Sequence, residues 1–295
     1  MNLQDKLPKA WRRKRWFWGL LGAILLVVII VIVVPIAVIF SRKNHKTTYG
    51  AMLIVPLYIY PTDASTWQPL YNAVESRSSL NFTVVVNPAS GPGTDLVPDE
   101  QYYSAIQKLN SYSNVQTVGY VRTGYATRDI DTVIEEVKTY AGWSSNSTSI
   151  AMNGIFFDES PHEYSEDAVE YMKNISSEVK GADGLFGDKT VIRNPGTVPD
   201  SRYADDNVDI IVVFEDNYDA WQSRSADVEA APDDRSEKSI MINSVPEMSD
   251  DDMKTFVNDV ASLGEHLFIT SNDANFYESW ASDWSNFVDA TQSTN

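Results

Sequence analysis

From residue 51 onward, short apolar segments alternate with longer segments of helical character, and this alternation constrains the fold more than any other feature of the chain. Eight apolar segments are rich in Val, Ile, Phe and Tyr, and most lack strict alternation of polar and apolar residues. Such strands are typical of a parallel sheet that is covered on both faces. We predict strands at 51–60, 82–87, 115–122, 150–158, 190–194, 208–215, 239–243 and 266–271.

Helices are predicted between most of these strands. Asp129, Ser165 and Ser249 stand where residues that cap a helix are expected. Eight strands that alternate with helices over about 245 residues predict an α/β fold of the (β/α)8 barrel type. A doubly wound open sheet is the alternative, although it more often has five or six strands and a Gly-rich first turn. The predicted helices are 67–76, 99–112, 130–140, 165–180, 218–224, 250–263 and 276–290.

The N-terminal segment differs from the rest of the chain. Residues 17–40 are 24 residues without a charge, which is long enough to cross a hydrocarbon core of roughly 30 Å and too long for the apolar core of a signal peptide. Six Lys and Arg residues precede this run and three follow it, which favours a cytoplasmic N-terminus. We therefore expect a single-pass type II membrane protein, with a basic tail (1–16), a transmembrane helix (17–40), a stalk (41–49) and an extracellular or wall-facing domain (50–295).

The charge of the predicted external domain limits its partners. Residues 1–46 hold nine basic residues and one acid, so the remaining residues hold 14 basic and 40 acidic ones, a net charge of −26. Such a domain is not expected to bind nucleic acid or anionic lipid, whereas a neutral or cationic ligand is permitted. Many of these acids could equally serve solubility alone.

Several chemistries are disfavoured by the residues that are rare or missing. The chain has no cysteine and only three histidines, which excludes a cysteine nucleophile and argues against a clustered zinc site. We predict no cofactor and no metal. Three Asn-X-Ser/Thr segments predict N-glycosylation on a secretory route, at Asn81, Asn146 and Asn174.

Two predicted strands end in paired acids, Asp158-Glu159 and Glu215-Asp216. In a parallel barrel the C-terminal strand ends converge on one rim, where the chemistry takes place, and two carboxylates can cleave a glycosidic bond. Successive strand residues face opposite sides, so one acid of the first pair should face the site and the other should not. We predict that Asp158 takes part in the reaction and that Glu159 has a supporting role. Glu215 near Asp158 is expected to have a raised pKa.

Other polar and aromatic residues are predicted to surround a sugar at the same rim. Asn87 and Asn194 each precede proline and could instead form turns. Arg122 and Arg193 could have no role beyond neutralising the acids beside them. The candidate substrate-binding residues are Tyr58, Tyr60, Asn87, Arg122, Tyr125, His162, Arg193, Asn194, Asn243 and Asn272.

Five segments in the same order resemble the spherulation-specific family, the spherulin 4-like proteins of fungi. They are LIVPLYIYP (53–61), VNPASGPG (86–93), GYVRTGY (119–125), GIFFDE (154–159) and NPG (194–196), and the resemblance spans about residues 51–284. It implies a membrane-anchored (β/α)8 glycoside hydrolase of family 135, an endo-α-1,4-N-acetylgalactosaminidase that acts on galactosaminogalactan. This fungal exopolysaccharide is partly deacetylated and therefore cationic. The family's acidic positions correspond to Asp158, Glu159 and Glu215.

By analogy with barrel enzymes that act on α-galactosides, Asp158 is expected to be the nucleophile and Glu215 the general acid/base. Two alternatives stay open at this point. One is a non-catalytic cell-surface protein that binds carbohydrate on the same barrel, and the other is a hydrolase of a different α-linked glycan.

Overall fold

The computed structural model describes residues 47–295, of which residues 48–295 form one compact unit. Eight parallel strands form a closed barrel in which every strand pairs with its neighbours in chain order and β8 closes on β1. The predicted barrel is confirmed, and the open doubly wound sheet is wrong. The strands are β1 Met52–Leu57, β2 Phe82–Val86, β3 Val115–Arg122, β4 Gly154–Asp158, β5 Thr190–Arg193, β6 Ile210–Asn217, β7 Lys238–Asn243 and β8 His266–Ile269.

Seven α-helices accompany these strands within residues 47–295. They are α1 Gln68–Ser76, α2 Glu100–Leu109, α3 Ile130–Asn146, α4 Glu166–Gly181, α5 Tyr218–Ala230, α6 Asp250–Ala261 and α7 Trp284–Gln292. The side chains of Asp129, Ser165 and Ser249 accept a hydrogen bond from the first turn of α3, α4 and α6, as the sequence predicts. Between β5 and β6 the chain makes only a 3-10 turn, Ser201–Tyr203.

The last helix starts later than predicted, at Trp284 rather than at residue 276. The segment before α7 is held to the chain around β1. The carbonyl of Tyr277 accepts a hydrogen bond from the N–H of Tyr58 at 3.1 Å, and the indole of Trp280 donates to the carbonyl of Thr66 at 2.8 Å. This packing brings Tyr277 over the end of the barrel.

The barrel core depends on close contact between neighbouring strands. The strand residues are almost all buried, so the apolar runs are covered on both faces. Gly154 opens β4 where a Cβ atom would lie 2.0 Å from the carbonyl oxygen of Thr190 on β5. Only glycine fits there, because the colliding atom belongs to the backbone.

β6 contains a bulge. Val212 pairs with Ser239 and Phe214 pairs with Ile240, so Val213 is an extra residue between two successive pairs. The ring of Phe214 packs outward on Trp221 of α5, with 5.0 Å between ring centroids. An extra residue in one strand reverses the sides that the following residues face, and here it turns Glu215 toward the barrel axis.

The predicted basic tail, the transmembrane helix and residues 41–46 of the stalk lie outside the described residues. Within residues 47–295, no helix has the length and apolarity that crossing a membrane requires.

Candidate active site

A cavity of about 490 Å³ opens at the C-terminal ends of β3 to β6. Six of the residues predicted from the sequence line it, namely Tyr125, Asp158, Glu159, His162, Asn194 and Glu215. A smaller cavity of about 280 Å³ between α1 and α2 contains neither Asp158 nor Glu215. The larger cavity is therefore the candidate active site.

One amide joins the two central carboxylates. The Nδ2 atom of Asn194 donates to Oδ1 of Asp158 at 2.8 Å and to Oε2 of Glu215 at 2.5 Å. Its Oδ1 accepts from the N–H of Gly196 at 3.0 Å, which fixes the orientation of the amide. The two carboxylate oxygens can be no more than about 5.3 Å apart, which is the sum of the two hydrogen-bond lengths.

Three tyrosines form the floor beneath these carboxylates. The Tyr120 hydroxyl donates to Oδ2 of Asp158 at 2.7 Å, and the Tyr277 hydroxyl donates to Oε1 of Glu215. Tyr58 packs edge-on against both rings, each with 5.4 Å between centroids. Burial, and to a smaller extent the charge of Asp158, raises the pKa of Tyr58, Tyr120 and Tyr277 far above the usual value, so all three hydroxyls remain protonated at neutral pH.

The electrostatics of the site favour a protonated Glu215. Burial raises the pKa of this carboxyl group, and the negative charge of Asp158 raises it further. The hydrogen bonds from Tyr277 and Asn194 act in the opposite direction, because they stabilise the ionised form. The net direction is upward, as a general acid requires.

Glu159 differs from Asp158 in its surroundings. It has a positive φ of 50°, and its Oε1 lies 3.8 Å from Nη1 of Arg122, whose side chain is half exposed. The strand has ended at this residue, so Glu159 reaches the cavity wall rather than the outer helices. Arg122 thus contacts an acid at the rim, as the sequence allows.

Arg193 does not line the cavity. Its guanidinium group is buried between β5 and α4, where it pairs with Asp205 at 2.5 Å and donates to Ser176 and to the carbonyls of Met172 and Tyr203. Neighbouring strand residues face opposite sides, so Arg193 cannot share the cavity with Asn194. The expectation of a sugar-binding Arg193 disagrees with this placement.

Four more predicted sugar ligands have other contacts. Tyr60 donates to Oδ2 of Asp99 at 3.1 Å, and Oδ1 of Asn87 accepts from the N–H of Gly91. Oδ1 of Asn243 accepts from the Ser244 hydroxyl, and Asn272 donates to the carbonyl of Ser279. None of the four lines the cavity. The two asparagines that follow β2 and β8 stabilise loops, the structural role usual for such positions.

Sequence reasoning missed several residues of the site. Tyr120 and Tyr277 bond the two carboxylates, and Arg224 lines the cavity with its Nη1 3.3 Å from Asp216 and its Nη2 3.0 Å from the Thr197 hydroxyl. Tyr120 could have been found, because it stands two residues before Arg122 and so faces the same side. Tyr277 gave no such signal, since it lies in a loop. Within residues 47–295, the His, Asp and Glu side chains form no group of three or more that could hold a metal ion.

Comparisons with known proteins agree on one family. The model of the spherulation-specific family 4 matches residues 52–291. Spherulin-4 of Physarum polycephalum is 34% identical over 176 residues, which are 57% of this chain and 48% of that protein. The chain thus spans about half the length of this relative.

A solved structure covers more of the chain. The crystal structure of Aspergillus clavatus Sph3 in complex with GalNAc is 39% identical, with a TM-score of 0.80. The match covers 84% of this chain and 100% of that one. The similarity therefore includes the whole barrel and the strand ends that carry the cavity.

Proposed function

The chain belongs to the spherulation-specific family 4, and from this premise we propose that it is an endo-acting glycoside hydrolase. The proposed substrate is α-1,4-linked N-acetylgalactosamine in an exopolysaccharide of the galactosaminogalactan type. Two findings support this substrate, namely the bound GalNAc in the similar Sph3 structure and the net charge of −26 after residue 46, which suits a partly deacetylated polymer.

The observation that carries the proposal is the amide of Asn194 between Asp158 and Glu215. A single donor that reaches both carboxylates fixes their separation and their orientation before substrate arrives. The backbone adds to this rigidity, because the N–H of Ser160 donates to the carbonyl of Asn194 and the N–H of Glu215 donates to the carbonyl of Gly196. Such a fixed acid pair in an open cavity is suited to glycosidic cleavage.

The different surroundings of the two acids support different roles for them. Glu215, whose pKa is raised by burial, donates its proton to the glycosidic oxygen as the bond to the anomeric carbon breaks. Asp158 attacks the anomeric carbon and forms a glycosyl ester. Glu215 then takes a proton from water, the resulting hydroxide displaces Asp158, and both carboxyl groups return to their starting state.

The short separation supports retention of configuration. Retaining enzymes hold the two carboxyl groups about 5–5.5 Å apart, whereas inverting enzymes leave about 6.5–9.5 Å for a water molecule. The upper bound of about 5.3 Å between Oδ1 of Asp158 and Oε2 of Glu215 agrees with the shorter spacing. NMR of the first product formed would detect the α-anomer, and a β-anomer would refute the nucleophile assignment.

We also propose that residues 17–40 anchor the protein in a membrane, with the barrel outside the cytoplasm. The uncharged length of this segment and the excess of basic residues before it support this topology. Asn81, Asn146 and Asn174 are all exposed, as acceptors of N-linked glycans must be. In sealed vesicles with the cytoplasmic face outward, protease is expected to remove the N-terminal tail and to leave the barrel intact, and a glycosidase-sensitive shift in mass tests the glycans.

The enzymatic proposal is tested with Asp158→Asn and Glu215→Gln. Each is expected to lower the cleavage rate of the polymer about a hundredfold or more, measured as new reducing ends and by mass spectrometry of the products. Glu170→Gln, an exposed position on α4, is the matched control. Cleavage at the wild-type rate by both active-site variants would refute these two acids as the catalytic pair, and binding of the polymer without cleavage by the wild type would leave a carbohydrate-binding protein. A panel of defined oligosaccharides separates the proposed substrate from other α-linked glycans.

A further inference from the structure

The large apolar side chains that are exposed lie mostly on one half of the rim. Within residues 47–295 five such side chains are exposed. Four of them follow the successive strands β1, β2, β3 and β4 at their C-terminal ends: Tyr60 (46% exposed), Leu96 (90%), Tyr125 (58%) and Tyr164 (45%). The fifth, Phe186, lies at the opposite end of the barrel, before β5. Single exposed apolar residues are common, but four on neighbouring loops of one rim can together form a contact surface.

Two of these side chains are held in place although they are exposed. Tyr60 donates to Asp99 at 3.1 Å, and its ring packs edge-on against Tyr102 at 5.4 Å. Tyr164 lies under the guanidinium group of Arg202, 3.3 Å from the ring centroid, and this arginine is itself paired with Asp200. Fixed rings lose little entropy when they bind a ligand.

Tyr125 connects the series to the cavity. Gly124, Tyr125 and Ala126 all have positive φ values, of 59°, 55° and 63°, a strained conformation for the two residues that are not glycine. The N–H of Tyr125 donates to the carbonyl of Glu159 at 2.6 Å, and the Thr123 hydroxyl donates to the carbonyls of Asp158 and Glu159. The turn thus fixes the backbone of Tyr125 to the segment that carries Asp158 and Glu159.

We propose that Tyr60, Leu96, Tyr125 and Tyr164, here called the apolar arc, bind the sugar units of the polymer that lie on one side of the cleavage point. This inference rests on the proposed function, since the occupant is the substrate's own chain, continuous with the cavity through Tyr125. Tyrosine rings and a leucine contact the C–H faces of pyranoses, whose apolar surface is then removed from water. The long arm of the substrate runs over the loops after β1 to β4.

The arc predicts a rate that depends on chain length. The quantity to measure is the ratio of kcat/KM on the polymer to kcat/KM on the shortest oligosaccharide that is cleaved. In the full-length protein, Tyr60→Ala combined with Tyr164→Ala is expected to lower this ratio about tenfold, since each ring contributes about threefold. Leu96→Ser, at a position too exposed to affect folding, is expected to lower the same ratio about twofold. Phe186→Ala is the matched control and should not change it.

Binding is measured separately from cleavage. In an Asp158→Asn background, the two tyrosine substitutions are expected to weaken retention of the protein in a gel that contains the polymer. An unchanged ratio and unchanged retention would overturn the apolar arc. If the wild-type protein cleaves no glycan but the tyrosine substitutions still weaken retention, the proposed hydrolysis fails while the arc stands as a polymer-binding surface.

Discussion

The hydroxyl of Tyr277 is predicted to set the pH range in which Glu215 acts as the proposed general acid. This acid must be protonated, so activity is lost as the pH rises through the pKa of Glu215. Burial raises that pKa, and the Tyr277 hydrogen bond to the ionised form holds it down. Tyr277→Phe removes the hydroxyl and keeps the ring that packs against Tyr58 and Phe268. The pKa of Glu215 should therefore rise further.

The size of the change follows from the bond that is lost. A hydrogen bond to a charged group contributes about 1.5–3 kcal/mol, and one pKa unit corresponds to about 1.36 kcal/mol. The alkaline limb of kcat/KM against pH is thus expected to move upward by about one to two pH units. At high pH the variant should therefore keep a larger fraction of its own maximal activity than the wild type keeps of its own.

The measurement is kcat/KM over the full pH range in which the protein stays folded, since this parameter reports the free enzyme. Tyr112→Phe is the matched control, because Tyr112 also donates to a glutamate, Glu75, but on the outside of the barrel. An alkaline limb that stays in place or moves down in Tyr277→Phe would refute the assignment of Glu215 as the acid.

Three further predictions concern the site and the stability of the barrel. Asn194→Ala removes the donor shared by both carboxylates and is expected to lower kcat about a hundredfold; steady-state kinetics with a loss below fivefold would contradict the bridging role. Arg193→Met leaves Asp205 buried without its partner and should lower the free energy of unfolding by about 3–5 kcal/mol in urea titrations, whereas weaker sugar binding at full stability would restore Arg193 as a ligand. Burial lowers the pKa of His266 from 6.5 to about 4, so between these pH values the unfolded chain binds a proton at this residue and the folded chain does not. Stability should fall by about 3 kcal/mol between pH 6.5 and 4, and His266→Asn should remove this part of the fall in denaturant titrations at both pH values.

The barrel could be predicted from sequence because its strands are buried on both faces. Val84, Val85 and Val86, for example, are all fully buried, so β2 reads as a continuous apolar run. The boundaries were less accurate, since apolar residues also occur outside the ladder. The predicted fourth strand began at residue 150, but Ile150 ends a 3-10 turn and β4 starts at Gly154.

The carboxylates of the site could be predicted from their positions at strand ends, whereas their partners could be predicted only in part. Asn194 and Arg193 are adjacent polar residues, and only the strand's orientation decides which of them faces the cavity. Tyr277 is brought to Glu215 by long-range bonds between the loop before α7 and the chain around β1. No local pattern encodes a contact of this kind.

The bulge in β6 makes the chemistry depend on the pairing of a strand as well as on its residues. If Val213 paired regularly with β7, strict alternation along β6 would place Phe214 inward and Glu215 toward α5. Loss of Val213 would instead leave Phe214 opposite Ile240 and Glu215 inward, because Val212 and Phe214 already occupy successive pairs with Ser239 and Ile240. Glu215 thus faces the cavity because one residue of β6 is left out of the pairing with β7, and strict alternation along this strand would assign the acid to the wrong side.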